Sequence, residues 1–152
     1  MSIKSAIQTV DATVGVAAKH MKTGEEICER GEETFFTAST FKVPILIELY
    51  RQIDTGVLSA NSRMEITDRL RAPGGGVLKE LSNGLNPTLH DLATLMIIVS
   101  DNTATDMLYD IVGRESLNKS MREFGLLKTN LPMSCRELLH SMYGVETDDI
   151  AD

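Results

Sequence analysis

Tryptophan is absent from this sequence of 152 residues, and aromatic residues make up only 5% of it. Proteins that stack nucleobases use exposed aromatic side chains, so this composition argues against that class. Positive charge is also scarce. The sequence has 15 Lys and Arg residues against 22 Asp and Glu residues, which gives a formal net charge of -7. An acidic surface repels phosphate groups. Nucleic acid and anionic membranes are therefore excluded as main partners.

Cysteine is limited to Cys28 and Cys135, and neither lies in a Cys-x-x-Cys pair. Isolated cysteines make neither a zinc site nor a disulfide framework. We expect two free thiols, with a single disulfide as the alternative. The three histidines, His20, His90 and His140, are well separated and show no pairing typical of metal ligands. The sequence therefore predicts no metal and no cofactor.

Long hydrophobic runs are missing as well. The most apolar stretch, Leu92 to Val99, has eight residues including one threonine, whereas a membrane-spanning helix needs about 20. The first ten residues contain no stretch apolar enough for the core of a secretory signal. We expect no membrane partner. As given, the chain is expected to be cytoplasmic, or else its export signal has been left out, and the sequence does not separate these two cases.

Hydrophobic residues make up 42% of the chain and charged residues 24%, which is typical of a globular protein. A chain of this length buries roughly 68–70% of the surface of its unfolded state. It therefore needs neither a disulfide nor a metal to hold a core. We expect one domain over residues 1–152.

The residue pattern predicts an α+β fold. β-Branched residues at alternate positions predict a strand over residues 13–20, and the turn signal at 22–25 leads to a returning strand over 26–30. Helical spacing of apolar residues, capping boxes at Thr88 and Ser134, and glycines at helix ends predict the helices. They cover residues 41–53, 88–99, 102–112, 114–124 and 134–143, with weaker helical character over 3–10, a short strand over 64–67 and a loop over 73–76.

This layout contains too few strands for a finished sheet. Two strands are not stable alone, and a hairpin presents a free edge that can pair with another chain. The acidic tail from Glu146 to Asp152 offers no further strand. We therefore expect the chain to be the first part of a longer domain, with pairing of the free edge to another chain as a second expectation.

The segment Ser39-Thr40-Phe41-Lys42 carries the first candidate for chemistry. Ser39 and Lys42 lie one turn apart at a predicted helix start. A serine hydroxyl becomes a nucleophile when a base takes its proton, and a desolvated lysine can be that base. Backbone N–H groups at a helix N-terminus also stabilise an oxyanion. Helix capping with a surface lysine is the alternative for the pair.

Ser116-Leu-Asn-Lys119 has the same Ser-x-x-Lys spacing, but we expect it to be a solvated face in mid-helix. The first pair differs from it in three ways. It has apolar neighbours, it is followed by Pro44, which fixes the helix start, and Ser100-Asp101-Asn102 follows it at a helix junction. Taken alone, the second motif is an interhelical turn with N-cap residues.

Together, in this order and at this separation, the two motifs resemble those of the penicillin-recognising serine enzymes, most closely the class A β-lactamase-like family. The stretch Ala38-Ser-Thr-Phe-Lys-Val-Pro44 is similar to the family's nucleophile segment, and Ile97 to Asp106 is similar to its second motif. The hairpin over residues 13–24 is similar to the family's opening hairpin. The resemblance runs from about residue 10 to about residue 145. It implies a helical domain beside an antiparallel sheet, with the active site between them.

The resemblance also implies a role for each matching residue. Ser39 would be the acylated nucleophile, Lys42 would help to deprotonate it, and Ser100 would relay a proton to the leaving nitrogen. Asn102 would bind the side-chain amide of the substrate. Asp101 would fix the turn. The expected substrate is a β-lactam or an ester, opened through an acyl-enzyme.

Two departures from the family pattern limit this expectation. The third motif, Lys-Thr-Gly, is absent after the second one. Lys22-Thr23-Gly24 has the right letters but lies in the first hairpin, so we assign it no catalytic role. The Glu-x-x-Leu-Asn pattern of the deacylating glutamate is also missing, and Glu137 is expected to be a capping-box partner. The alternatives are a penicillin-binding or esterase-like member that releases its product slowly, and a non-catalytic fragment.

Overall fold

The computed structural model of the chain describes residues 3–143. It contains two compact units, which meet in sequence between Phe36 and Thr37. The first unit holds the short helix α1 (Ile3–Ile7) and a two-stranded sheet. The second unit holds the other helices and all of the residues proposed above for chemistry. Together the two units have the α+β composition that the sequence predicts.

The predicted hairpin is confirmed, but its strands are shorter than expected. Strands β1 (Val16–Lys19) and β2 (Glu26–Glu29) are antiparallel, with Val16 opposite Glu29 and Lys19 opposite Glu26. Arg30 follows β2 with a φ of 54°, in the left-handed region, which turns the chain away from the ladder. The residues before Val16 therefore find no partner on β2.

The turn of this hairpin contains Lys22-Thr23-Gly24. His20 N donates to Glu25 O at 2.8 Å, and Gly24 N donates to His20 O at 2.8 Å. Thr23 N donates to the ring Nδ1 of His20 at 3.1 Å, and Gly24 has a φ of 74°. These contacts show that Lys22-Thr23-Gly24 forms the turn of the hairpin.

The helices of the second unit follow the predicted pattern to within about two residues. A 3-10 turn (Ala38–Phe41) leads directly into the first of them. The bounds are α2 (Lys42–Asp54), α3 (Leu89–Ile98), α4 (Asn102–Val112), α5 (Arg114–Glu123) and α6 (Cys135–Tyr143), with two further 3-10 turns at Asp68–Leu70 and Leu78–Glu80.

The signals that predict the helix ends are present in the structure. At α3, Asp91 N donates to Thr88 Oγ1 at 3.0 Å and Thr88 N donates to Asp91 Oδ2 at 2.9 Å, which is the predicted capping box. Gly113 has a φ of 81° and separates α4 from α5. A left-handed residue at a helix end is most easily a glycine, because it has no Cβ. Gly125, with a φ of 80°, follows α5 in the same way.

Helix α4 lies at the centre of the second unit, packed against α2, α3, α5 and α6. Most of its residues are buried, whereas the other helices bury one face. The core is aliphatic and contains several methionines. Its fully buried members include Ile45, Leu49, Ile66, Leu92, Met96, Met107, Leu108, Leu117 and Met121.

The predicted strand over residues 64–67 is wrong. Met64 N donates to Pro87 O at 3.0 Å and Ile66 N donates to Leu85 O at 2.8 Å, so the segment is extended and paired. Only an isolated bridge between Arg63 and Thr88 forms, however. Pro87 has no N–H to return, so a regular ladder cannot continue along this pair.

The residues that the structure describes can be searched for a membrane-spanning helix, a metal site and a disulfide. None of the helices within residues 3–143 is long and apolar enough to cross a membrane. Over the same residues, no group of three or more His, Cys, Asp or Glu side chains is placed to hold a metal ion. Cys28 is exposed and Cys135 is buried, and both are free thiols, so the alternative of a disulfide is wrong.

Candidate active site

The candidate nucleophile lies where the chain enters α2. Ser39 is exposed within the 3-10 turn, and Lys42 is the first residue of α2. Ala38, immediately before Ser39, has a φ of 43°. A non-glycine residue in the left-handed region is strained, and such strain concentrates at functional sites. Pro44 is tolerated in the first turn of α2, where an N–H group has no helical partner.

The Lys42 ammonium group is buried, with 1% of the residue exposed, and it joins the two motifs. Its Nζ donates to Ser100 O at 2.7 Å, to Ser100 Oγ at 2.8 Å and to Asn102 Oδ1 at 2.9 Å. An ammonium group has three protons to donate, and these three contacts use all of them. Lys42 is therefore not a surface lysine, and the alternative of simple helix capping is wrong.

Ser39 is connected to Lys42 through Ser100. Ser100 Oγ donates to Ser39 Oγ at 3.1 Å, and it accepts from Lys42 Nζ. Ser100 has a φ of 54°, so it too is in the left-handed region. The structure thus brings Ser39, Lys42, Ser100 and Asn102 together, although about 60 residues separate the two motifs.

Burial shifts the pKa of Lys42. Desolvation lowers the pKa of Lys42 from its usual value of 10.5, and the neighbouring Cys135, Asp101 and Asp106 oppose that shift. Burial also raises the pKa of the Cys135 thiol to about 12, so the thiol is neutral at pH 7.

Asp101 fixes the turn between α3 and α4. Its Oδ1 accepts from Ala104 N at 3.0 Å, which is the N-cap contact predicted for this junction. Its Oδ2 accepts from Val77 N at 2.6 Å and Leu78 N at 2.8 Å. The carboxylate is fully buried, and these backbone donors compensate for the loss of water.

The glycine-rich loop over residues 73–76 contacts the second motif, which the sequence alone did not reveal. Asn102 Nδ2 donates to Pro73 O at 2.9 Å, and Asn102 N donates to Gly75 O at 2.9 Å. From the sequence we expected only a loop. Three successive glycines were the available signal, because they permit close approach of the backbone to another group.

Asp106 lies near Lys42 and Glu137 lies in the first turn of α6, and both are engaged in structural contacts. Fully buried Asp106 accepts from Cys135 N at 2.7 Å and from Arg136 N at 2.9 Å, and desolvation raises its pKa. Glu137 accepts from Ser134 N at 2.7 Å, and Glu137 N donates to Ser134 Oγ at 3.2 Å. The second predicted capping box is thus confirmed.

The duplicate Ser-x-x-Lys motif has none of these features. Ser116 and Lys119 lie on α5, and the Lys119 side chain is 71% exposed. Its Nζ lies 3.8 Å from Glu123 Oε1, one turn further along the helix. The expectation of a solvated helix face is confirmed.

Comparison with known proteins identifies the family. Residues 2–148 match the Beta-lactamase enzyme family, so the chain belongs to that family. The Streptomyces cacaoi protein named "Beta-lactamase regulatory protein BlaB" is 26% identical over 137 residues, which are 90% of this chain and 44% of that protein.

Solved structures agree with this result. The β-lactamase of Sphaerobacter thermophilus has 37% identity and a TM-score of 0.82, covering 87% of this chain and 49% of its own. The acyl-enzyme complex of the PBP-A L158E mutant with penicillin G has 30% identity and a TM-score of 0.76, and the match covers 81% of this chain and 47% of the PBP-A chain. The predicted class A β-lactamase-like fold is confirmed. The chain spans about half the length of the relatives it matches.

Proposed function

We propose that this chain carries the nucleophile of a serine hydrolase that opens the β-lactam ring through an acyl-enzyme on Ser39. The observation that carries the proposal is the continuous hydrogen-bonded path from Ser39 through Ser100 to the buried Lys42. The path combines an exposed hydroxyl with a base held away from water. Family membership supports the same class of reaction.

The path supplies a proton route in both directions. When Lys42 is neutral, both hydrogen bonds reverse, so that the Ser39 hydroxyl donates to Ser100 Oγ and the Ser100 hydroxyl donates to Nζ. Ser39 then passes its proton through Ser100 to Nζ, and Ser39 Oγ forms a bond with the carbonyl carbon of the lactam. The ring C–N bond then breaks, and the proton returns through Ser100 to the departing nitrogen. Lys42 and Ser100 end the step unchanged. Desolvation favours the neutral form of Lys42 that the first transfer requires.

Asn102 is proposed to bind the side-chain amide of the substrate. Its Oδ1 is occupied by Lys42 and one Nδ2 proton by Pro73 O, which leaves the second Nδ2 proton for a ligand carbonyl. The substrate class is therefore an acylamino β-lactam or a related ester, with no nucleic acid and no cofactor.

Slow release of the acyl group is the second candidate, and a specific observation favours it. The acidic groups that the structure places close to Lys42 are Asp101, Asp106 and Cys135. Both carboxylates accept backbone N–H groups, and the thiol stays protonated because its pKa is about 12. Glu137 is exposed and caps α6. Among the described residues, these four are therefore poor candidates for activating the deacylating water.

Pairing of the hairpin with another chain is a further proposal about partners. Within the described residues the sheet has only β1 and β2, and most of their residues are exposed. An unpaired edge favours addition of a strand. Light scattering across a concentration series tests this, and a monomer at every concentration would contradict it.

Mass spectrometry tests the proposed function. The chain is incubated with penicillin G and with a chromogenic cephalosporin, and the intact mass and the modified peptide are determined. We expect a single adduct on Ser39 that persists for many minutes, and none in Ser39→Ala. Ser116→Ala is the matched control and should acylate normally. An equal adduct in Ser39→Ala would overturn the proposal, and sustained turnover without a persistent adduct would refute slow release.

A further inference from the structure

The Asn102 carboxamide is held between a cation and a backbone carbonyl. In the ammonium form Lys42 Nζ only donates, so the atom it contacts at 2.9 Å must be the amide oxygen. Pro73 O has only lone pairs, so the atom it contacts at 2.9 Å must be the amide nitrogen. The two contacts fix the direction of the carboxamide independently.

The loop that provides Pro73 O approaches Asn102 too closely for a side chain. Gly74 has a φ of 86°, and a Cβ built on it would lie 2.7 Å from Asn102 Nδ2 and 3.2 Å from Leu139 Cδ1. Gly76 has a φ of 120°, and its Cβ would lie 2.7 Å from Asp101 Cα. A collision with a backbone atom has no simple relief, whereas the end of the Asn102 side chain can rotate away.

We propose that Gly74 is a positioning residue, whose missing side chain allows the Asn102 carboxamide to keep one N–H free for the ligand. The inference rests on the proposed function of Asn102 but assigns a new role to the loop. Any side chain at position 74 displaces Nδ2 from Pro73 O. Since the carboxamide is rigid, the same rotation removes Oδ1 from Lys42. Both the ligand contact and one contact of the proposed base are then lost.

A matched pair of variants separates this role from backbone strain. Gly84 also has a φ of 86°, but a Cβ built on it meets nothing within 4 Å. Gly74→Ala and Gly84→Ala therefore place an alanine at the same unfavourable φ. Only the first collides with Asn102. Thermal unfolding of both variants measures the shared strain.

The first measurement needs no substrate. In an NMR spectrum of the ¹⁵N-labelled protein, the side-chain amide pair of Asn102 is identified by its loss in Asn102→Ala. We expect Gly74→Ala to shift this pair and Gly84→Ala to leave it in place. An unchanged pair in Gly74→Ala would overturn the proposal, whatever happens to acylation.

The second measurement is the rate of Ser39 acylation by penicillin G. Loss of one hydrogen bond to the ligand predicts about a tenfold decrease in Gly74→Ala. Gly84→Ala should acylate at the rate of the unmodified chain. In the Asn102→Ala background, Gly74→Ala should cause no further decrease, because its effect passes through Asn102. A full additional decrease would show that Gly74 acts elsewhere and would refute the proposal.

Two further outcomes remain decisive. If Gly74→Ala alone does not fold, the double variant with Asn102→Ala should fold, because the collision is gone; a double variant that also fails to fold contradicts the proposal. If the unmodified chain gives no adduct on Ser39, the proposed function fails. The NMR comparison then decides the role of Gly74 by itself.

Discussion

Replacing Lys42 with alanine is the most direct test of the proposed base. The change removes the buried ammonium group and its three hydrogen bonds to Ser100 and Asn102. We expect the rate of Ser39 acylation to fall by about 10²–10⁴, the usual effect of removing a general base. Lys119→Ala is the matched control, since Lys119 is the lysine of the second Ser-x-x-Lys motif and is largely exposed.

Lys42→Ala should change the free energy of unfolding much less than it changes the activation free energy of acylation. Three hydrogen bonds contribute about 0.5–1.5 kcal/mol each, and leaving their acceptors unpaired adds to the loss. Removal of a desolvated cation offsets much of this, because burying a charge is itself costly. We therefore expect Lys42→Ala to fold with a modest decrease in the free energy of unfolding. Lys119→Ala should change it by less than about 0.5 kcal/mol, as for an exposed helical ion pair.

The role of Lys42 as the base also predicts the direction in which the acylation rate changes with pH. Burial lowers the pKa of Lys42, so the neutral form increases as pH rises through a value below 10.5. Acylation should therefore become faster with pH and level off below pH 10.5. Stopped-flow measurements with a chromogenic cephalosporin, supported by intact mass, provide the profile. Equal rates in Lys42→Ala and Lys119→Ala, or a rate in the unmodified chain that does not change with pH, would refute the assignment of Lys42 as the base.

Four further expectations follow from the site contacts, from the backbone angle of Ala38 and from the burial of Cys135. Ser100→Ala should slow acylation by about 10² or more because it interrupts the proton path, and Asn102→Ala should slow it by about tenfold, with circular dichroism showing that both variants fold. Ala38→Gly should raise the free energy of unfolding by about 1 kcal/mol, because glycine adopts a φ of 43° without strain; an unchanged or lower denaturation midpoint would contradict this. At pH 8 a thiol reagent should modify exposed Cys28 but not buried Cys135. Because the pKa of Cys135 is about 12, only about one molecule in ten thousand carries the reactive thiolate at this pH. Equally fast modification of both cysteines in the folded protein would contradict the burial of Cys135.

The sequence by itself determined the local structure, because its signals act over a few residues. The capping boxes at Thr88 and Ser134 and the glycine at 113 specify where helices begin and end. They need only the neighbouring backbone to do so. The bounds of the helices in the second unit were accordingly predicted to within about two residues, whereas α1 ends three residues earlier than predicted. The two motifs and their order also indicated the family that the comparison confirms.

One failure of the sequence interpretation occurs where a segment depends on a distant one. Residues 64–67 have strand character, but their partner contains Pro87, which interrupts the ladder. The hairpin ends early for a local reason instead, because Arg30, at the end of the predicted strand over residues 26–30, adopts a left-handed conformation.

Tertiary structure alone decided how the site is connected. The sequence suggested that Ser39 and Lys42 interact directly because they are one turn apart, whereas the structure places Ser100 between them. Burial of Lys42 to 1% exposure depends on the packing of α2 against α4, which no local pattern specifies. The contact of the glycine loop with Asn102 has the same origin, since 29 residues separate Pro73 from Asn102. Local interactions fix each element, but only the packing of elements distant in sequence lowers the pKa of Lys42 and directs the Asn102 carboxamide.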